Sequence, residues 1–246
     1  MEMPRVVSRE QWLAARRELL EREKAATRER DALNAQRRQL PMVHVEKEYM
    51  FTGPSGRVRL LDLFAGRRQL IVLHVMFHAE RDQACTGCSH CVDNLPHLAH
   101  LHARDTSLVL VSRAPLAQLA QFKRRMAWTA PWYSSLGSDF NYDFHVTTDP
   151  SVAPVEYNYR DQRALEQRGQ SYHARGEQPG VSVFLRDESA VFHTYSTFGR
   201  GLESFLTTYH YLDLTPQGRG EGWGGMPDLG VGKSWLRHHD RYEEAD

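Results

Sequence analysis

The sequence predicts a mixed α/β protein, a central mixed sheet flanked by helices, and three observations predict it. An apolar, β-branched run over residues 70–77 is followed by a helical period and a second apolar run over 106–112, which together read as a strand–helix–strand unit. Another helical period follows at 115–126, and alternating runs at 181–185 and 190–195 read as an antiparallel hairpin. All three cysteines fall at the first strand-to-helix junction, in Cys85-Thr86-Gly87-Cys88-Ser89-His90-Cys91.

Composition narrows the function classes. The 246 residues carry 31 Lys+Arg and 31 Asp+Glu, so charge argues for neither nucleic acid nor an anionic membrane surface as partner. No apolar run is long enough to span a bilayer, and residues 1–40 read as a charged helix without the apolar core of a secretory signal. The expected compartment is the cytoplasm. Clustered cysteines there point to redox or metal chemistry rather than to a structural disulfide framework.

Taken in order, residues 1–41 form a helical extension. Ser8 and Gln11 make a capping box at its start, and Pro41 stops it. Trp12, Leu19, Ala26, Leu33 and Leu40 recur every seven residues, while the companion positions are Arg, Glu and Ala. The stripe suits a helix laid on the globular body, or an arm that pairs two copies into a homodimer. The main domain, 42–216, begins with a hairpin turning at Gly53-Pro54-Ser55-Gly56. The strand over 70–77 is apolar on both faces, as a central strand should be, and His74 within it reads as a buried, hydrogen-bonded imidazole. Beyond the cysteines the helical period is expected to continue through Val92, Leu95, Leu98 and His102. Pro115 opens the next helix, whose apolar face is Leu116, Leu119, Phe122 and Met126. Residues 128–179 are too long for a structureless loop and read as an insertion with its own short elements. A hairpin at the sheet edge and a closing helix through Leu202, Phe205, Leu206 and Tyr209 complete the domain. Residues 217–246 form a Gly-rich tail carrying Trp223 and Trp235.

Strand, helix, strand, helix, hairpin, helix is the order of the thioredoxin fold, and the cysteines lie where that fold carries its redox pair. Phe77-His78-Ala79-Glu80 followed by Cys85-Thr86-Gly87-Cys88 resembles the strand-to-motif passage of thioredoxins, lengthened by a few residues. More closely, the chain resembles an uncharacterised bacterial thioredoxin-like family of predicted dithiol-disulfide oxidoreductases. The likeness runs through Trp12-Leu13-Ala14-Ala15-Arg16, Cys85 to Ser89, Val111-Ser112-Arg113-Ala114-Pro115, Gly137 to Phe144 and His193-Thr194-Tyr195-Ser196. It implies a fold and a thiol chemistry, with no established substrate and no cofactor.

In a Cys-x-x-Cys turn the sulfur nearer the helix start has the lower pKa, so Cys85 is expected as the attacking thiolate and Cys88 as the resolving thiol. The partner would be a protein disulfide or a small-molecule thiol. Cys91 adds a second Cys-x-x-Cys with Cys88, either an alternative disulfide or a small apolar helix residue. Two features of thioredoxins are missing: Ala84 stands where an aromatic residue usually precedes the first cysteine, and Val75-Met76-Phe77 lacks a buried carboxylate. His78, Glu80, Asp82 and His90 are the nearby candidates for proton transfer. Pro179 is the candidate for the cis-proline expected beside the motif, with a trans turn as the alternative.

Other readings stay open. A thiol peroxidase would oxidise a cysteine to sulfenic acid, but the upstream Pro and Thr of peroxiredoxins are absent, Asp82 occupying the position three before Cys85. The spacing of Cys85, Cys88 and Cys91 matches part of an iron–sulfur motif, with Leu95 at its fourth cysteine position, and a zinc site could recruit His90 or His97; no metal is the expectation and such a site the alternative. As a binding scaffold, the chain could line a pocket with Trp128, Trp132, Tyr133, Phe140, Tyr142 and Phe144. Arg113, Trp132, Asp139 and Asn141 are the candidate substrate-binding residues, Arg113 because it follows a parallel strand at the ligand-binding edge of α/β sheets.

Overall fold

The computed structural model describes residues 3–188, 190–220 and 235–242. Its main strands are β1 (Val43–His44), β2 (Met50–Gly53), β3 (Gly56–Arg59), β4 (Gln69–His74), β5 (Thr106–Ser112), β6 (Trp132–Ser134), β7 (Gly180–Asp187) and β8 (Ala190–Phe198). The helices are α1 (Arg9–Arg37), α2 (Thr86–Asp93), α3 (Leu98–His102), α4 (Leu116–Arg125), α5 (Phe140–Asp143), α6 (Gln162–Gln167) and α7 (Thr207–Leu212). The strands form one eight-stranded mixed sheet in the order β1-β8-β7-β4-β5-β6-β2-β3. Strands β4 and β5 are parallel, β7 is antiparallel to β4, and β8 is antiparallel to β7. That inner order, with helices on both faces, is the thioredoxin-like fold that the sequence predicts.

Side-chain alternation explains how the sheet separates two cores. Leu70 and Val72 of β4, with Val109 and Val111 of β5, face a cluster containing Phe51, Phe64, Phe140 and Phe184. Leu73, with Leu108 and Leu110, faces the cluster that holds the cysteines, Phe122 and Trp132. Every residue of β5 is buried, which accounts for the unbroken apolar run from Leu108 to Val111 at its centre. His74 is buried as expected, its Nε2 2.9 Å from the Ser182 hydroxyl, and burial pushes its pKa down to about 3.

Several expectations need correction. The helical period over 92–102 is broken: α2 ends at Asp93 and α3 starts at Leu98, because Pro96 lacks an N–H and its ring clashes with the preceding turn. The closing helix is likewise split, into a 3-10 segment, Gly199–Phe205, and α7. The late hairpin does not form the sheet edge, since β1 pairs outside β8. Residues 128–179 begin with a strand of the main sheet, β6, and only then form two small antiparallel pairs. Phe140 and Phe144 pack with Phe184 in the main core instead of lining a pocket.

The capping box of α1 is present, the Gln11 N–H donating to Ser8 Oγ at 3.2 Å and the Ser8 N–H to Gln11 Oε1 at 3.2 Å. No residue of this helix is buried, and Trp12 is 49% and Leu33 51% exposed. The helix is therefore not laid on the body by an apolar stripe. Near its end the Arg37 guanidinium lies 4.9 Å from the Tyr195 ring centre. Of the tail, Trp223 lies outside the described residues.

Candidate functional site

The chain leaves β4 at His74 and makes a detour before reaching the cysteines. Phe77 and His78 pair antiparallel with Ala84 and Gln83, and Asp82 turns the loop between them with a φ of 50°. The small hairpin returns the chain to its starting point: the Cys85 N–H donates to the Met76 carbonyl at 3.0 Å. The few residues added relative to the thioredoxin pattern are thus looped out, and Cys85 still stands at the end of the central strand.

Cys85 is the N-cap of α2, and the Cys88 N–H points at its sulfur at 3.4 Å. The Ser89 N–H and hydroxyl both donate to the Cys85 carbonyl, at 2.8 and 2.9 Å. An N-terminal helix position and an aimed N–H both favour negative charge on sulfur. Cys85 and Cys88 are near each other without a disulfide bond. All three cysteines are almost fully buried, Cys85 and Cys88 at 2% and Cys91 at 3% exposure. Burial pushes the Cys91 thiol far above its ordinary value, and the neighbouring Cys88 and Asp93 add to the effect. Cys91 therefore stays a neutral thiol, and no group of three or more His, Cys, Asp or Glu among the described residues is placed to hold a metal ion.

The strand end behind the motif is fixed by Ser112, whose hydroxyl donates to the Val75 carbonyl and accepts the Trp132 indole N–H at 3.0 Å. Trp132 is 3% exposed and stands edge-on to Phe77 and Phe122. It is core, not the substrate contact that the sequence suggests. Asp139 is paired with Lys47 Nζ at 2.7 Å rather than with the residues of the cysteine motif.

Arg113 and Asn141 do come together, around a carboxylate that sequence reasoning missed. Glu177 accepts from the Thr147 hydroxyl at 2.9 Å and from Asn141 Nδ2 at 3.3 Å, and Arg113 Nη1 lies 3.9 Å away. Asn141 is held in turn by the Ser135 hydroxyl at 2.7 Å, and the Arg113 guanidinium lies 5.2 Å from the Tyr142 ring centre. Burial raises Glu177 to about 7, opposed by Thr147, Arg113 and Asn141. Arg113 follows β5 and Glu177 precedes β7, whose first residue, Gly180, lies opposite His74. Both therefore occupy the sheet end from which the chain leaves for Cys85.

A family model described as "Bacterial protein of unknown function (DUF899)" matches residues 1–242. The chain belongs to the DUF899 family. No curated protein matches this DUF899 chain. Among solved structures it is similar to a PrxQ mutant of Xylella fastidiosa, at 12% identity and a TM-score of 0.41 over 66% of this chain and 88% of that one. It is also similar to the peroxidoxin BcpB of Mycobacterium tuberculosis, at 13% identity and 0.41 over 70% and 97%. A putative thiol:disulfide interchange protein DsbE of Chlorobium tepidum gives 13% identity and 0.37 over 69% and 98%. Likeness at this level bears on neither substrate nor mechanism.

The remaining candidates in this DUF899 chain have other surroundings. Pro179 is trans, since none of the peptide bonds described is cis, and its carbonyl accepts from the Tyr157 hydroxyl at 2.9 Å. Burial raises the Tyr157 pKa, and the nearby Cys88 raises it further. Glu80 is on the small hairpin's surface, with Arg81 at 3.3 Å and His78 at 3.7 Å. His90 is buried against the Tyr209 ring, and neither of its ring nitrogens has a hydrogen-bond partner among the described residues. Burial holds it below its ordinary pKa, hence neutral at pH 7. A second residue missed by sequence reasoning is His238, whose Nε2 lies 3.0 Å from the Ala84 carbonyl. A carbonyl can only accept, so Nε2 carries the proton, and the C-terminal segment thereby grips the residue before Cys85. The Arg125–Asp240 pair at 2.7 Å fastens the same segment to α4.

Proposed function

We propose that this chain is a thiol–disulfide oxidoreductase in which Cys85 attacks and Cys88 resolves. The observation that carries the reading is the Cys88 N–H aimed at the Cys85 sulfur on the N-cap of α2. In the proposed cycle the Cys85 thiolate attacks one sulfur of a substrate disulfide, and the other sulfur leaves as thiolate and takes up a proton. Cys88 then loses its proton and displaces the second substrate sulfur, closing Cys85–Cys88. Two electrons pass from the dithiol to the substrate, and an external thiol reductant restores the enzyme.

Buried sulfurs require the segment over them to yield before a substrate disulfide can reach them, and among the described residues the segment 235–242 is held against the residue before Cys85 through His238. The substrate class is a protein disulfide or a small disulfide. Arg113, partly exposed at the same sheet end, is the residue proposed to meet a carboxylate of the substrate. A reducing compartment, the cytoplasm, fits a dithiol that works in the reduced state. No described helix is long and apolar enough to cross a membrane.

The test is reduction of the insulin disulfides by a dithiol-recycled preparation. Cys85→Ser should abolish turnover, and Cys88→Ser should trap a mixed disulfide visible by mass spectrometry. Unchanged activity in Cys85→Ser refutes the assignment, and peroxide consumption that depends on Cys85 in the absence of disulfide reduction would transfer the site to peroxidase chemistry.

A further inference from the structure

Among the described residues, the break between α2 and α3 leaves part of the sheet without a helical cover. Beneath it is a cavity of about 450 Å³. Its floor consists of two cross-strand pairs, Ile71 beside Leu108 and Leu73 beside Val181. Leu101 of α3 and Phe205 form its sides. Phe205 is 44% exposed, so part of its ring is open to solvent.

The chemistry of the wall restricts what can enter. Among the described residues no charged side chain lines the cavity, and its polar contributors besides the Cys91 thiol are Asn94 and Thr207. Both are already committed: Asn94 Oδ1 accepts from the Thr207 hydroxyl at 2.7 Å, the Thr208 N–H at 2.8 Å and the Thr208 hydroxyl at 2.9 Å. Asn94 Nδ2 donates to the His90 carbonyl at 2.7 Å. An anionic or cationic group would lose its water here and gain no partner, at a cost that apolar contact does not offset. Water is poorly served for the same reason, since it needs two or more polar partners. A hydrocarbon loses nothing on entry, and the volume falls within the roughly 300–1,000 Å³ range of small-molecule sites.

We propose that this cavity is a binding site for a neutral, largely hydrocarbon small molecule, separate from the Cys85–Cys88 dithiol. Cys91 is wall rather than nucleophile in this site, because burial keeps its thiol protonated. Pro96, which interrupts the helical run between α2 and α3, itself lines the cavity. The site makes no use of disulfide exchange, so it stands or falls apart from the proposed redox function.

The test is titration of the reduced full-length protein with the neutral fluorophore N-phenyl-1-naphthylamine, followed by competition. Saturable binding of one probe per chain is expected, with 1-decanol displacing it at concentrations at least ten-fold lower than decanoate. Leu101→Trp, which fills the cavity from α3, should weaken the probe at least ten-fold. Thr207→Trp, which blocks the rim from a more exposed position, should do the same and decides the matter if the first variant does not fold. The proposal is overturned by non-saturable binding, by equal competition from decanoate and decanol, or by unchanged affinity in folded Thr207→Trp.

Discussion

Replacing Glu177 by Gln should remove a pH dependence of stability that can be calculated from the structure. Glu177 has a folded pKa of about 7 against an ordinary 4.5, because burial disfavours its charge more than Thr147, Arg113 and Asn141 favour it. Between those values the folded chain holds a proton that the unfolded chain has released. Linkage then requires that the stability Glu177 contributes be greatest below pH 4.5 and fall as the pH rises to 7. With about 1.4 kcal/mol for each pH unit between the two values, the full loss is about 3 kcal/mol. The side chain is 22% exposed, so solvent screening reduces this to about 2–3 kcal/mol. Gln keeps the shape and an acceptor for Thr147 but does not titrate. Urea unfolding of both proteins from pH 4.5 to 8 measures it: wild-type stability minus that of Glu177→Gln should decline across the window and level off above it. A difference that is flat with pH, or that rises, refutes the assigned environment of Glu177.

Ser112→Ala should lower stability by about 2–4 kcal/mol, because it leaves the buried Val75 carbonyl and Trp132 indole N–H without their partner. Urea unfolding at a single pH checks this, and a loss under 1 kcal/mol contradicts it. The exposed face of α1, with Trp12, Leu19 and Leu33 about half uncovered, is expected to pair two copies of the chain. Sedimentation velocity should then show a concentration-dependent dimer that Leu19→Glu abolishes; a monomer at all concentrations refutes the arm.

The inner strands β4, β5, β7 and β8 and the place of the cysteines were legible because each rests on a local pattern, whereas the outer places of β1 and β6 in the sheet rest on pairings that no local pattern shows. Apolar runs mark β4 and β5, alternation marks β7 and β8, and closely spaced thiols mark the start of α2. Pro96 was equally visible, yet the helical period around it points to one helix. The proline decides the outcome because a missing N–H and a steric clash outweigh a favourable apolar face. The stripe on α1 misleads in the opposite direction, since periodicity says that a face exists and not that the same chain covers it. Trp132 and Asp139 could not be sorted from sequence, because their partners, Ser112 and Lys47, come from other elements. Glu177 and His238 were illegible for the same reason. One acquires its raised pKa only when Thr147, Asn141 and Arg113 close around it, and the other meets Ala84 from 154 residues away.

The central claim is that Cys85 and Cys88, among three buried thiols, are the pair that works. A redox titration with rapid alkylation and mass-spectrometric mapping measures it directly. A single two-electron transition is expected, joining Cys85 to Cys88 with Cys91 alkylated only after unfolding. A disulfide between Cys88 and Cys91, or no transition across the range of biological thiol couples, would contradict the account.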